Sequence, residues 1–252
     1  MLRTVYLVVR IALYLIGTLF GRPKMRALQK AGDEEGVAKI IEKIAVEWVA
    51  GILRWSGADY AFEGLENLPP DGVPVVYVAN HQSYMDIPLI TAALRRPARF
   101  IAKEEVRKIP IVRGLVEAWP CVLVNRGNAS AAAAAFREAE KIVERGDSLI
   151  VFAEGTRSRD GELLPFKAGS FRIAQRAKVS VVPCCIEGTG RFLEQNGYRI
   201  DRGSKLRLRV LPMIDTAAYT REDWKALPAL CESQIGAALA EMRGETETAP
   251  RE

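Results

Sequence analysis

Five apolar residues in succession, Val75-Val76-Tyr77-Val78-Ala79, end abruptly at Asn80 and His81. A strand with one wet face alternates apolar and polar residues. A run without alternation reads as a strand covered on both faces, which is the habit of parallel sheets with helices above and below. The pattern recurs at residues 148–153, which stop at Glu154. Further strands are expected at residues 59–65, 99–102, 120–124 and 179–186, the last interrupted by Pro183. Residues 205–213 alternate Leu206, Leu208 and Val210 with basic residues, as an edge strand would. Helices are expected at residues 87–94, 110–118, 130–145 with Ser130 as N-cap, 171–177, and from a Thr220/Asp223 cap to about Met242. This order implies an α/β domain with a largely parallel central sheet flanked by helices. It is placed at residues 57–243, after an N-terminal two-helix element at 1–56 and before a polar, disordered tail at 244–252.

His81 is the only histidine among 252 residues, and Asp86 follows five positions later. Residues five apart face opposite ways on a strand and are off the same face on a helix. The two meet only if the chain turns between them. Gln82, Ser83 and Tyr84 continue a strand poorly, and Pro88 suits the first turn of a helix. A strand, a tight turn and a helix starting near Asp86 would place an imidazole and a carboxylate at the C-terminal end of a strand, where open α/β sheets carry ligands. Such a pair is a general base: one ring nitrogen takes a proton and the carboxylate fixes the other N–H. The plainer alternative makes Asp86 a helix cap, alone or in a capping box with Ser83, and His81 a half-buried loop residue. A carboxylate has two oxygens, so the two roles are compatible.

Glu154-Gly155-Thr156-Arg157-Ser158 also follows a buried strand. Gly155 permits a close turn, Thr156 and Ser158 offer hydroxyls, and Arg157 offers a planar fork for phosphate or carboxylate. Alternatively Arg157 pairs with Glu154 on an exposed loop. Two polar clusters after two buried strands belong on one sheet edge. Lys103 and Arg126, also just past strands, would complete a cationic pocket, and Lys167-Ala168-Gly169 would add a small-residue loop at its rim.

The net charge of +5 is spread along the chain, without the aromatic interleaving of a nucleic-acid binder. Anionic lipid or phosphorylated substrates suit it as well. Cys121, Cys184, Cys185 and Cys231 form no C-x-x-C, and with one histidine they read as reduced buried thiols rather than zinc ligands. Residues 2–20 are strongly apolar but carry Arg3 and Arg10, which argues against a span. From Val37, apolar residues recur at helical spacing through Trp48, Val49, Ile52 and Leu53. Two apolar helices joined by a basic connection suggest a monotopic hairpin in one leaflet. For the second helix, packing on the core is an equal alternative.

Asn80-His81-Gln82-Ser83-Tyr84-Met85-Asp86 together with Phe152-Ala153-Glu154-Gly155-Thr156-Arg157-Ser158 resembles the PlsC family of 1-acylglycerol-3-phosphate acyltransferases. Both blocks match, N-H-x(4)-D and F-x-E-G-T-R-S. Weaker blocks are recognisable at Lys103-Glu104-Glu105, Val124-Asn125-Arg126 and Val181-Val182-Pro183, with Asn125 where the family often has Asp. The resemblance covers about residues 60–215. It implies His81 as general base and Asp86 as its orienting partner. It implies Glu154, Gly155, Thr156 and Arg157 around the acceptor, with Arg157 and Lys103 on its phosphate. The implied reaction moves an acyl chain from acyl-CoA or acyl-carrier protein to the sn-2 hydroxyl of lysophosphatidic acid, at the cytoplasmic face of the inner membrane. No metal and no cofactor beyond the donor are implied. The turn after His81 is expected to offer backbone N–H groups to the oxyanion. Alternatives are another acceptor, such as lyso-ornithine lipid or a different lysophospholipid, a nucleotide-binding protein using Gly188-Thr189-Gly190, and a non-catalytic membrane scaffold.

Overall fold

The computed structural model describes residues 2–19, 21–94, 98–108, 121–125 and 127–244. The expected helix at 110–118, Arg126 and all of the tail but Gly244 lie outside them.

Strands β1 (Asp59–Glu63), β2 (Val76–Ala79), β3 (Arg99–Lys103), β4 (Val122–Val124), β5 (Leu149–Phe152), β6 (Val181–Glu187) and β7 (Lys205–Val210) form one sheet, ordered β1-β7-β6-β2-β5-β3-β4. Strands β2 to β6 are mutually parallel, β7 is antiparallel to β6, and β1 runs parallel to β7. The apolar runs are explained by burial on two faces. Val75, Tyr77, Ala79, Ile150, Val182, Cys184 and Ile186 enter one core with α3 (Glu34–Ser56) and α4 (Asp86–Leu94). Val76, Val78, Leu149, Val151, Val181 and Cys185 enter the other, with α5 (Ala129–Glu144), α6 (Arg172–Ala177) and α8 (Arg221–Arg243).

Three sequence expectations change. β7 is not an edge, because β1 lies outside it. Its alternation marks two faces instead: Leu206, Leu208 and Val210 are buried, while Arg209 pairs with Glu63 on β1 and Glu241 on α8. β6 runs through Pro183 without a break. Pro183 has no N–H to give, and it sits where the pairing with the β7 side bulges: Cys184 pairs with Val210, but Val181 next pairs with Ile214. The N-cap of α5 is Asn128, whose side chain accepts the N–H of Ala131 at 3.0 Å; Ser130 lies inside the helix. The Thr220/Asp223 capping box on α8 is formed as expected.

The N-terminal helices are α1 (Leu2–Leu19), a basic α2 (Arg22–Lys30) and α3. The basic connection is thus itself helical. α3 buries Trp48, Val49, Ile52, Leu53 and Trp55 in the core it shares with α4 and the sheet. α1 buries Leu7 but exposes Leu2, Val5, Tyr6, Val8, Val9, Leu13 and Ile16. Among the described residues no helix is long and apolar enough to cross a membrane.

Candidate active site

β2 and β5 are neighbours with Ala79 level with Phe152, so their C-terminal ends leave the sheet side by side. Asn80 extends the join to β6: its amide donates to the Ile186 carbonyl and accepts the Ile186 N–H, each at 2.8 Å. The chain then turns. The side chain that holds the turn is Asp86, which is fully buried as the first residue of α4.

Asp86 Oδ2 accepts the N–H of Gln82 at 2.7 Å and of Ser83 at 2.9 Å, and it lies 2.7 Å from His81 Nδ1. Oδ1 accepts the hydroxyl of Thr189 at 2.5 Å. Capping and holding the imidazole are therefore one arrangement. With Asp86 as acceptor, the proton of neutral His81 sits on Nδ1, and Nε2 is the nitrogen open to a substrate. The ring stacks on Phe152 at a centroid distance of 4.0 Å. About a fifth of the His81 side chain reaches solvent.

The second cluster locks to the first. Ser158 N–H donates to the His81 carbonyl at 2.8 Å, and His81 N–H donates to Glu154 Oε1 at 3.1 Å. Glu154 is buried, and its Oε2 has no hydrogen-bond partner among the described residues. Burial pushes its carboxyl up to about 8, with the nearby Asp86 charge adding to the effect and the His81 N–H opposing it. Glu154 thus holds the His81 main chain rather than pairing with Arg157. Gly155 adopts φ +68°, and a Cβ there would come within 2.9 Å of Lys167 Nζ, so Lys167 does sit at this rim. Thr156 is exposed, as is Lys103 at the end of β3.

Arg157 is half-buried. Its guanidinium lies 3.9 Å over the Tyr84 ring and donates from Nη1 to Glu194 Oε1 at 2.9 Å. The expected pairing alternative named the wrong acid: the partner comes from a loop 37 residues away.

The expected oxyanion donors are also absent from the turn. Every N–H from His81 to Asp86 is already bonded inside the protein. His81 gives to Glu154, Gln82 and Ser83 to Asp86, Tyr84 to Glu194, Met85 to Ser83 Oγ, and Asp86 to the Ser83 carbonyl. Three carboxylates, Asp86, Glu154 and Glu194, together with Ser83, consume the donors the turn would have offered.

Two contributors escaped the sequence reading. Thr189 lay in the segment assigned to a nucleotide alternative, yet its hydroxyl is engaged with Asp86. It comes two residues after buried β6, as His81 does after β2 and Glu154 after β5, so the rule that flagged those two would have flagged it. Glu194 had no local signal. The thiols offer no rival nucleophile: burial raises Cys185 and Cys231 to about 12 and Cys121 to about 11.

A family model described as Acyltransferase matches residues 59–187, which hold both clusters. The chain belongs to the acyltransferase family. The 1-acyl-sn-glycerol-3-phosphate acyltransferase of Escherichia coli is 32% identical over 70% of this chain and 71% of its own. The crystal structure of the 1-acyl-sn-glycerophosphate acyltransferase PlsC from Thermotoga maritima is 30% identical with a TM-score of 0.74, covering 98% of this chain and 97% of that one. A chloroplast 1-acyl-sn-glycerol-3-phosphate acyltransferase of Brassica napus is 38% identical over 52% of this chain. The match spans only 38% of that plant relative's length.

Proposed function

We propose that the protein transfers an acyl chain from acyl-CoA or acyl-carrier protein to the sn-2 hydroxyl of lysophosphatidic acid, giving phosphatidic acid. The observation that carries this reading is the 2.7 Å contact between His81 Nδ1 and buried Asp86, at the open end of a parallel sheet. The names of the relatives from Escherichia coli and Thermotoga maritima favour the acceptor.

His81 Nε2 takes the sn-2 hydroxyl proton as the oxygen attacks the thioester carbonyl. Asp86 keeps the ring oriented and stabilises the imidazolium. The tetrahedral intermediate collapses, the C–S bond breaks, and the thiolate leaves with the proton returned by His81. A base so placed contributes roughly 10²–10⁴ in rate. No acyl-enzyme is needed: Cys184, Cys185 and Cys231 are buried, the half-buried Cys121 thiol is raised to about 11 by desolvation, and no serine stands in a nucleophile elbow.

Arg157 and Lys103 are the proposed phosphate ligands, and Lys167 lies against Gly155 on the arginine loop. Arg157 suits the task because its fork is planar and already stacked. The exposed apolar side of α1 is proposed to lie in the lipid surface from which the acceptor comes, at the cytoplasmic face of the inner membrane.

The test is a panel: purified protein, acyl-CoA and acyl-carrier protein donors of several lengths, and lysophosphatidic acid beside lyso-ornithine lipid, other lysophospholipids and glycerol phosphate. Thiol release matched by phosphatidic acid formation, fastest with lysophosphatidic acid, supports the reading. Faster transfer to a phosphate-free acceptor contradicts it.

A further inference from the structure

Glu194 stands outside both sequence blocks, on the loop that follows β6 and the short helix α7 (Thr189–Phe192). It reaches the centre of the site. Its Oε1 accepts Arg157 Nη1 at 2.9 Å and the Tyr84 N–H at 2.8 Å, and its Oε2 accepts the Ser83 hydroxyl at 2.5 Å. Only 16% of its side chain is exposed. One carboxylate therefore anchors the guanidinium, the residue whose ring lies under that guanidinium, and the turn whose N–H groups hold Asp86.

We propose that Glu194 is a positioning residue for the acceptor site, holding the Arg157 guanidinium in the orientation that receives the acceptor's phosphate. This rests on the acceptor reading above. An arginine side chain has many rotamers, and fixing it at the moment of binding costs affinity. Glu194 and Tyr84 fix it in advance. Nη1 is the one nitrogen of Arg157 with a protein hydrogen bond among the described residues, so the rest of the fork is left for an anion. The loop itself is braced: Gln195 N–H donates to the Gly190 carbonyl and Tyr198 N–H to the Leu193 carbonyl, each at 2.9 Å. A carboxylate placed on such a loop is a fixed point rather than a mobile competitor for the guanidinium.

A purely structural role, stapling the turn, would not depend on Arg157, and a double-mutant cycle separates the two. KM for lysophosphatidic acid and for the acyl thioester, with kcat, is measured for wild type, Arg157→Ala, Glu194→Ala and the double variant. Glu194→Ala is expected to raise the acceptor KM about tenfold, the order expected for a lost charge-assisted hydrogen bond. The donor KM should stay within about twofold, and Glu194→Gln, which keeps the acceptor oxygen but not the charge, should recover most of the loss. In the Arg157→Ala background, Glu194→Ala should raise the acceptor KM no further. An equal rise in both backgrounds overturns the proposal, as does an unchanged acceptor KM in Glu194→Ala when Arg157→Ala raises it. An unchanged KM in Arg157→Ala overturns the phosphate reading itself, and the positioning proposal with it. If Glu194→Ala does not fold, the same cycle is run with Glu194→Gln, where a two- to fivefold rise confined to the Arg157 background is expected and an equal rise in both overturns it.

Discussion

The backbone N–H of Ser158 donates to the carbonyl of His81 across 2.8 Å. It is a main-chain bond, so it holds whatever side chains flank it. Two blocks 73 residues apart in sequence, at His81 and Glu154, become one rigid unit. The imidazole, its carboxylate and the arginine loop keep a fixed spacing because the adjacent parallel strands β2 and β5 deliver them together.

Thr189 supplies Asp86 with its only described side-chain hydroxyl partner. Thr189→Val keeps the shape and removes that donor. It should lower kcat roughly 10–100-fold by loosening the carboxylate that orients His81, and cost about 1–3 kcal/mol in urea unfolding. Thr189→Ser should restore most of both. Wild-type kcat in Thr189→Val would show that Asp86 needs no second support.

Glu154 gives a pH signature. Its carboxyl is raised from the usual value of 4.5 to about 8 in the folded protein. Between those values the folded state holds a proton that the unfolded state releases, so this group stabilises the fold fully below about pH 4.5 and loses that contribution as pH rises towards 8. Each tenfold change in proton affinity is worth about 1.4 kcal/mol. Melting temperature should therefore fall between about pH 4.5 and 8 more steeply in wild type than in Glu154→Gln. Parallel curves would mean that Glu154 is not protonated in the fold.

The exposed apolar side of α1 offers a separate test. Val5, Val9 and Ile16 are each about half exposed. Replacing all three by Glu should leave the melting temperature within a few degrees. Burying such a side chain in lipid is worth roughly 1.5–3 kcal/mol, so binding to vesicles should fall at least about a hundredfold. Unchanged vesicle co-sedimentation would remove α1 from the membrane contact.

Much of this architecture was legible because burial on both faces leaves an unbroken apolar run: residues 75–79 and 148–153 announced the two strands that carry the site. The dyad was legible because H-x(4)-D allows contact only through a turn. What stayed hidden involves partners distant in sequence. Glu194 is 111 residues from Ser83, and nothing near it in the chain marks it. The misjudged edge at β7 has the same cause, since alternation reports the faces of a strand but not its neighbours. The turn's N–H groups looked free until Asp86, Glu154 and Glu194 were seen to occupy them. Asn128 beat Ser130 as a cap because either residue type satisfies a helix start and only backbone geometry chooses.

The most direct measurement is turnover of His81→Ala with acyl-CoA and lysophosphatidic acid, followed by thiol release, beside its melting curve. With Nε2 as the proton acceptor, kcat should fall roughly 10²–10⁴-fold while the melting temperature stays close to wild type. A folded His81→Ala variant that keeps more than about a tenth of wild-type turnover would contradict the assignment of the imidazole as the base.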